Sequence, residues 1–263
     1  MRRMPKRSFD ELVHLMTTLR GPNGCPWDRK QTLASLKPFI VEEAYEVVDA
    51  IDRDDRRGLA EELGDFLLQA VFLAEITRQE GTFDINDAIT AIHDKLVRRH
   101  PHVFGDVEAK DAEAVLVNWE KLKNEERKAE NKSVLDGVPQ SLPALLKASR
   151  LTEKAARVGF DWRRTADVFD KVEEEIAELR TAVDGGDDGM IQEEIGDLLF
   201  TIANIARKVE VNAEEALQAA NRKFMRRFTS MERTVREKGR NLDQLTLEQM
   251  DALWDEAKAA ERL

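Results

Sequence analysis

Carboxylates recur in this 263-residue chain at a spacing that suits a divalent cation. Glu42-Glu43-x-x-Glu46 is followed by Glu62-x-x-Asp65, and Glu174-Glu175-x-x-Glu178 by Glu194-x-x-Asp197. An antiparallel helical hairpin would set Glu43 opposite Asp65 and Glu46 opposite Glu62, because both pairs are centred on Asp54, inside the turn-like stretch Arg53-Asp54-Asp55-Arg56-Arg57-Gly58. In the second copy Glu175 with Asp197 and Glu178 with Glu194 are both centred on Gly186, inside Asp184-Gly185-Gly186-Asp187-Asp188-Gly189, a glycine-rich turn. Four carboxylates brought together between apolar helices repel one another and lose hydration, and a bound cation relieves both. An all-oxygen ligand set favours a hard ion, Mg2+ or Mn2+, which keeps waters that a phosphate substrate can displace.

The plain alternative is a solvated acidic helix face. With about a fifth of the residues acidic, an acid-acid-x-x-acid pattern arises about twice by chance, so the mirrored hairpin spacing carries the argument. A di-iron centre in a similar bundle wants Glu-x-x-His pairs, and none of His14, His93, His100 or His102 lies in these motifs.

The elements that must position these groups read as helices. Phe39, Ile40, Ala44, Val47 and Ile51 form an apolar arc at about 3.6 residues per turn, with Glu43 inside it and Glu46 at its edge. The partner helix is apolar around much of its circumference and is broken by the stripe Glu62, Asp65, Gln69; its counterpart carries Glu194, Asp197, Thr201 and Asn204. Gly64 and Gly196 occupy matched mid-helix positions, where glycine costs roughly 1 kcal/mol relative to alanine, and close helix approach would explain them. Hairpins this apolar need further helices to cover them, so the expected unit is a four-helix bundle completed within the chain or by dimerisation.

The halves also match outside the hairpins. Trp27 precedes the first and Trp162 the second; Asp94-Lys95-Leu96-Val97-Arg98-Arg99 matches Arg222-Lys223-Phe224-Met225-Arg226-Arg227; Trp119-Glu120-Lys121-Leu122-Lys123 matches Trp254-Asp255-Glu256-Ala257-Lys258. All four tryptophans fall at matched places, the mark of a tandem duplication. The expected domains are residues 1–132 and 144–263, joined by a link over 133–143, where Asp136-Gly137, Pro139 and Pro143 interrupt helical patterning. Recurrence after each acidic hairpin gives the basic helices a role: Lys223, Arg226 and Arg227 would bind phosphate oxygens that the metal leaves uncovered. Metal plus cations implies a polyphosphate substrate. The basic helix of the second half continues past Arg227, whereas Pro101 should end the first soon after Arg99, which makes the second half the more active one.

Charged residues at 35% and aromatics at 6% suit an all-α chain of long amphipathic helices. A net charge of −11 argues against sequence-independent binding to nucleic acid or to an anionic membrane. The single Cys25 excludes an intramolecular disulfide, the basic start Met1-Arg2-Arg3 is followed by no apolar stretch of the signal-peptide kind, and no run is long enough for a membrane span. A cytoplasmic protein is expected.

The doubled hairpins, Cys25-Pro26-Trp27-Asp28, Val158-Gly159-Phe160-Asp161-Trp162 and Arg98-Arg99-His100-Pro101-His102-Val103-Phe104-Gly105-Asp106 together resemble the MazG family of tandem-domain nucleoside triphosphate pyrophosphohydrolases over nearly the whole chain. Leu33 departs from the family pattern, which usually has His there. The resemblance implies hydrolysis of NTP to NMP and pyrophosphate with Mg2+ by a homodimer of helical bundles. It implies that Glu175, Glu178, Glu194 and Asp197 ligate the metal, with Glu43, Glu46, Glu62 and Asp65 as first-half equivalents. Lys171, Lys223, Arg226 and Arg227 would contact the triphosphate, Glu174 and Glu42 would support the ligands from behind, and Trp254 would contact the base. Two rival readings make different products: a hydrolase of the terminal phosphate releases orthophosphate, and a metal-stapled helical adaptor for a protein partner consumes no nucleotide.

Overall fold

The computed structural model describes residues 7–111, 114, 115, 118, 119, 122 and 133–261. Met1-Arg2-Arg3 and the residues Glu120, Lys121 and Lys123 of the segment expected to match the C-terminal one lie outside the described residues, as does 124–132 at the end of the expected first domain. All regular structure among the described residues is helical. The chain divides into two compact units, Met1–Lys123 and Asn124–Leu263.

In the first unit α1 (Phe9–Leu19) starts at a capping box, in which the Ser8 hydroxyl accepts from the Glu11 amide and the Glu11 carboxylate accepts from the Ser8 amide. The short α2 (Pro26–Lys30) leads into α3 (Lys37–Asp52), which turns directly into α4 (Arg56–Gln79). The turn is made by Asp54 at φ 52° and by Asp55, whose carboxylate caps α4 by accepting from the amides of Arg57 and Gly58. α5 (Ile85–Arg99) stops one residue before Pro101, which opens the four-residue α6 (Pro101–Phe104). α4 is the central element and packs on α3, α1 and α5. The core is Met16, Leu36, Val71, Phe72 and Ile76, with Phe9, Leu12, Val13 and Phe39 against it.

The second unit repeats the plan. α7 (Ala144–Ala156), α8 (Thr165–Gly185), α9 (Asp188–Lys208), α10 (Ala213–Glu237) and α11 (Leu247–Ala260) follow one another, with a 3-10 turn at Leu242–Gln244. Gly186 at φ 68° ends α8 in the left-handed conformation that glycine adopts without strain, and Asp187 caps α9. α9 packs on α8, α7 and α10, and α10 also packs on α7 and α11. Here the buried cluster is made of small residues, Ala148, Ala203 and Ala213. α10 runs ten residues beyond Arg227, to Glu237, so the contrast with the proline-terminated α5 holds.

Two local expectations fail. Ile51 is exposed, and Ala50 takes the buried place at the end of α3, where the chain leaves the helix for the turn. Gly64 and Gly196 are not explained by close approach within the chain, since a Cβ added at either would meet nothing within 4 Å. Both hairpins leave apolar side chains uncovered: Val41, Tyr45 and Val48 on α3, Leu63, Phe66 and Leu67 on α4, and Ile195, Leu199 and Ile202 on α9. No helix among the described residues is long and apolar enough to cross a membrane.

Candidate metal centres and neighbouring cations

Each hairpin gathers three of its four motif carboxylates. Oxygens of Glu43, Glu62 and Asp65 all lie within 4.8 Å of one another, and so do those of Glu175, Glu194 and Asp197. The registers read from the turns therefore hold, with Glu43 facing Asp65 and Glu175 facing Asp197. Glu46 and Glu178 stand beside these trios rather than within them. Glu46 shares a hydrogen bond with Glu43 and repels Glu62, and Glu178 repels Glu194. Glu42, the remaining acidic residue of the first motif, is exposed on α3.

The electrostatics are those of concentrated negative charge. The Glu43 carboxyl is pushed above its ordinary value by burial, then by Asp65 and Glu46, and a weak bond from Gln69 Nε2 at 3.4 Å only partly offsets this. Glu62 is raised by burial and by Glu46, Glu61 and Asp65. Glu194 is raised by burial and by Glu178, Glu175, Glu193 and Asp197. The donor set and its self-repulsion fit a hard divalent cation, whose charge would reverse these shifts.

The halves differ at one neighbour. Lys171 Nζ lies 2.9 Å from Glu175 and 2.9 Å from Glu174, and its pKa is driven above the usual lysine value by these bonds, the one to Glu175 first. Glu175 is only 3% exposed, so this cation sits against a buried carboxylate. The register that sets Glu43 against Glu175 sets Phe39 against Lys171, and Phe39 packs edge-on to Trp27, ring centroids 6.1 Å apart.

The remaining predicted residues meet on α10 and α11. Arg227 pairs with Glu261 at 2.7 Å, Arg226 approaches the same carboxylate at 3.6 Å, and Lys223 adds to the charge around it. Together they hold Glu261 below the usual carboxylate range, the Arg227 hydrogen bond being the largest cause. The Arg227 guanidinium lies 5.6 Å from the centroid of the Trp254 ring, and Phe224 tilts against that ring at 5.3 Å. The first half has the same feature, Arg99 over Trp119 at 6.0 Å. Glu261 was not foreseen, because nothing in its sequence neighbourhood marks it. Asn204 and Gln69 were visible as members of polar stripes but carried no assigned role.

A model of the MazG nucleotide pyrophosphohydrolase domain matches the chain twice, over residues 31–104 and 165–231, so each match contains one carboxylate hairpin. The chain is 49% identical over 260 residues to the nucleoside triphosphate pyrophosphohydrolase of Escherichia coli K12, covering 96% of this chain and 98% of that one. It is 44% identical over 253 residues to the nucleoside triphosphate pyrophosphohydrolase/pyrophosphatase MazG of Thermotoga maritima, covering 96% of each. It is 48% identical over 255 residues to the uncharacterized protein YabN of Bacillus subtilis, where the match spans 97% of this chain and 52% of that protein. Two matched domains, each centred on a paired-carboxylate hairpin, and relatives that align over nearly their full length place the chain in the MazG nucleotide pyrophosphohydrolase family.

Proposed function

We propose that the protein hydrolyses nucleoside triphosphates to nucleoside monophosphate and pyrophosphate with Mg2+, Mn2+ being the alternative ion, and that it works in the cytoplasm as a homodimer. The carrying observation is the trio Glu175, Glu194 and Asp197 with Lys171 against its buried member. These three, with Glu178 beside them, would hold the metal; Glu43, Glu62, Asp65 and Glu46 would do so in the first half. When bound, the ion would draw negative charge from phosphate oxygens at the reacting phosphorus and on the leaving pyrophosphate. Lys171, steadied by Glu174, and the Lys223, Arg226 and Arg227 side chains would bind the oxygens left over. A carboxylate of the trio would orient the water that attacks the α-phosphate. Trp254 is the base contact that the family resemblance suggests, although Arg227 and Phe224 already pack against its ring.

Homodimerisation is supported by the uncovered stripes on α3, α4 and α9, since contiguous exposed apolar surface on a soluble chain marks an interaction face. The domains are taken as 1–132 and 144–263, with 133–143 between them. A net charge of −11 supports a role without nucleic acid.

The test is product analysis by ion-exchange chromatography after incubation with each NTP and Mg2+, for the parent protein and for Glu175→Gln and Glu43→Gln. Monophosphate plus pyrophosphate, lost in Glu175→Gln, is the expected result. Diphosphate plus orthophosphate would overturn the assigned bond cleavage, and no turnover of any nucleotide would favour the adaptor reading.

A further inference from the structure

The two carboxylate trios contain the same groups, two glutamates and an aspartate each. What donates to the inner glutamate differs between them. Glu175 takes an ion pair from its own helix: Lys171, one turn earlier on α8, places Nζ 2.9 Å from it and 2.9 Å from Glu174. The position that matches Lys171 in the first half is Phe39, so α3 offers Glu43 no ammonium there. The donor to Glu43 comes instead from the facing helix. Gln69, four residues after Asp65 on α4 and only 8% exposed, donates from Nε2 to a Glu43 oxygen at 3.4 Å. The position that matches Gln69 in the second half is Thr201, buried at 5%. The copies have therefore exchanged a pair, lysine with threonine in one and phenylalanine with glutamine in the other.

An ammonium and an amide treat an arriving cation differently. Lysine has donors, no acceptor and a positive charge, so it repels a dication at the oxygens it bonds and must give up or share Glu175. The glutamine amide has no net charge and carries an acceptor at one end and donors at the other. Turned end for end, it presents oxygen where Nε2 now stands, against Glu43 and toward a cation, or a water on that cation, held by the trio. Little opposes the turn. The Nε2 bond to Glu43 is long, and Oε1 at the other end is buried without a hydrogen-bond partner among the described residues.

The surrounding charges do not cancel this contrast. Glu46 and Glu178 stand beside the two trios alike. Arg53, just past the end of α3, acts on Glu62 as the smallest of the influences there, whereas Lys171 is in direct contact with a member of its trio.

We propose that Gln69 makes the first trio the tighter cation site of the two, one that holds a hard divalent cation without nucleotide, while Lys171 keeps the second trio weak toward the free ion. The first half then carries a resident cation and fills before the second. Gln69 acts here as a positioning residue for Glu43 and as a neutral acceptor at the cation. This assignment rests on reading both trios as metal ligands, and not on which bond of the nucleotide is cleaved.

The experiment titrates Mn2+ into the full chain without nucleotide and follows the free ion by electron paramagnetic resonance. It uses the parent, Asp65→Asn, Asp197→Asn, Lys171→Met and Gln69→Lys, and NTP turnover is measured on the same samples. The parent should show two classes of site about tenfold or more apart in affinity. Asp65→Asn should remove the tighter class and Asp197→Asn the weaker. Lys171→Met should tighten the weaker class by about tenfold, and Gln69→Lys should weaken the tighter class by about the same factor. Gln69 is buried, so thermal melts accompany that variant; the Lys171 side chain is 34% exposed, and its variant decides the charge argument alone. Equal affinities in the parent overturn the assignment, as does a tighter class that disappears in Asp197→Asn. So does a weaker class unmoved by Lys171→Met, or a tighter class unmoved in a folded Gln69→Lys. A parent that binds Mn2+ in the two classes described yet cleaves no NTP would retain this assignment and sink the proposed reaction instead.

Discussion

Lys171 Nζ lies 2.9 Å from the buried carboxylate of Glu175, whereas the register position that matches Lys171 in the first half is Phe39, whose ring packs edge-on to Trp27. One carboxylate trio thus has a cation against its most buried member, and the other has an aromatic residue at the matching position. The Lys171 ammonium sits as a donor against this buried carboxylate, where the first half has no counterpart charge at the matching position. The two halves therefore differ in charge at this register position, Phe39 against Lys171.

Replacing Glu175 by Gln should lower NTP turnover by about 100-fold or more, since losing charge at a metal ligand removes several kcal/mol of transition-state stabilisation. Glu43→Gln should leave more than half of the activity. Steady-state rates on the two variants decide this, and an equal loss in both would place the chemistry in both halves.

Lys171→Met should destabilise the metal-free protein, because Glu175 is left buried with its ion-pair partner gone. The expected cost is about 1–3 kcal/mol, which for a chain of this size lowers the melting temperature by roughly 2–10 °C. Saturating Mg2+ should recover most of the loss. Calorimetric melts in EDTA and in Mg2+ would show it, and a variant as stable as the parent in EDTA would remove the ion pair from the argument.

Metal binding should release protons. Glu43, Glu62 and Glu194 have carboxyl pKa values raised by burial and by their acidic neighbours. A raised folded-state value means that the folded chain holds these protons more tightly than the unfolded one. These groups therefore favour the metal-free fold as pH falls through the raised values and oppose it at higher pH. Titration calorimetry of Mg2+ in buffers of different ionisation enthalpy should find more protons released near pH 5.5 than at pH 8, and the thermal stabilisation by Mg2+ should grow across the same range. Proton release independent of pH would contradict the assignment of these carboxylates as ligands.

Glu261→Gln should lower the KM for NTPs. Its carboxylate pairs with Arg227 at 2.7 Å and so competes with phosphate for the same guanidinium. Freeing a partly exposed pair of this kind is worth about two- to fivefold in KM. An unchanged KM would mean that Arg227 does not reach the substrate.

Val48→Asp should separate the proposed dimer. Val41, Tyr45 and Val48 share one exposed face of α3, where a buried charge would oppose association. Light scattering coupled to size-exclusion chromatography should give about half the parent's mass. A parent that already runs as a monomer ends this reading.

Spacing made much of the site legible. Two carboxylate pairs centred on one turn can only come from a hairpin of fixed register, and Asp54 and Gly186 supply the left-handed residues that such turns need. Pro101 likewise announced the end of α5. Spacing could not show which three of four carboxylates meet, because that depends on rotamers and on the twist of one helix over another. It also hid the exchange of Asn204 for Phe72, where the same register position is a buried amide in one copy and an aromatic ring of the core in the other. Glu261 was illegible because its partners, Arg226 and Arg227, lie far away in sequence and meet it only through the packing of α11 on α10.

The tight turns at Asp54 and Gly186 also bear on how quickly the chain folds. Hairpin contacts join sequence neighbours, so they form early and their loops cost little entropy to close. Each closure brings like charges together, and where the hairpin closes ahead of the surrounding core this repulsion would add to the barrier as well as to the folded state. Ions that screen or bridge the carboxylates should therefore speed refolding, and refolding in a chelator at low salt should be the slower case.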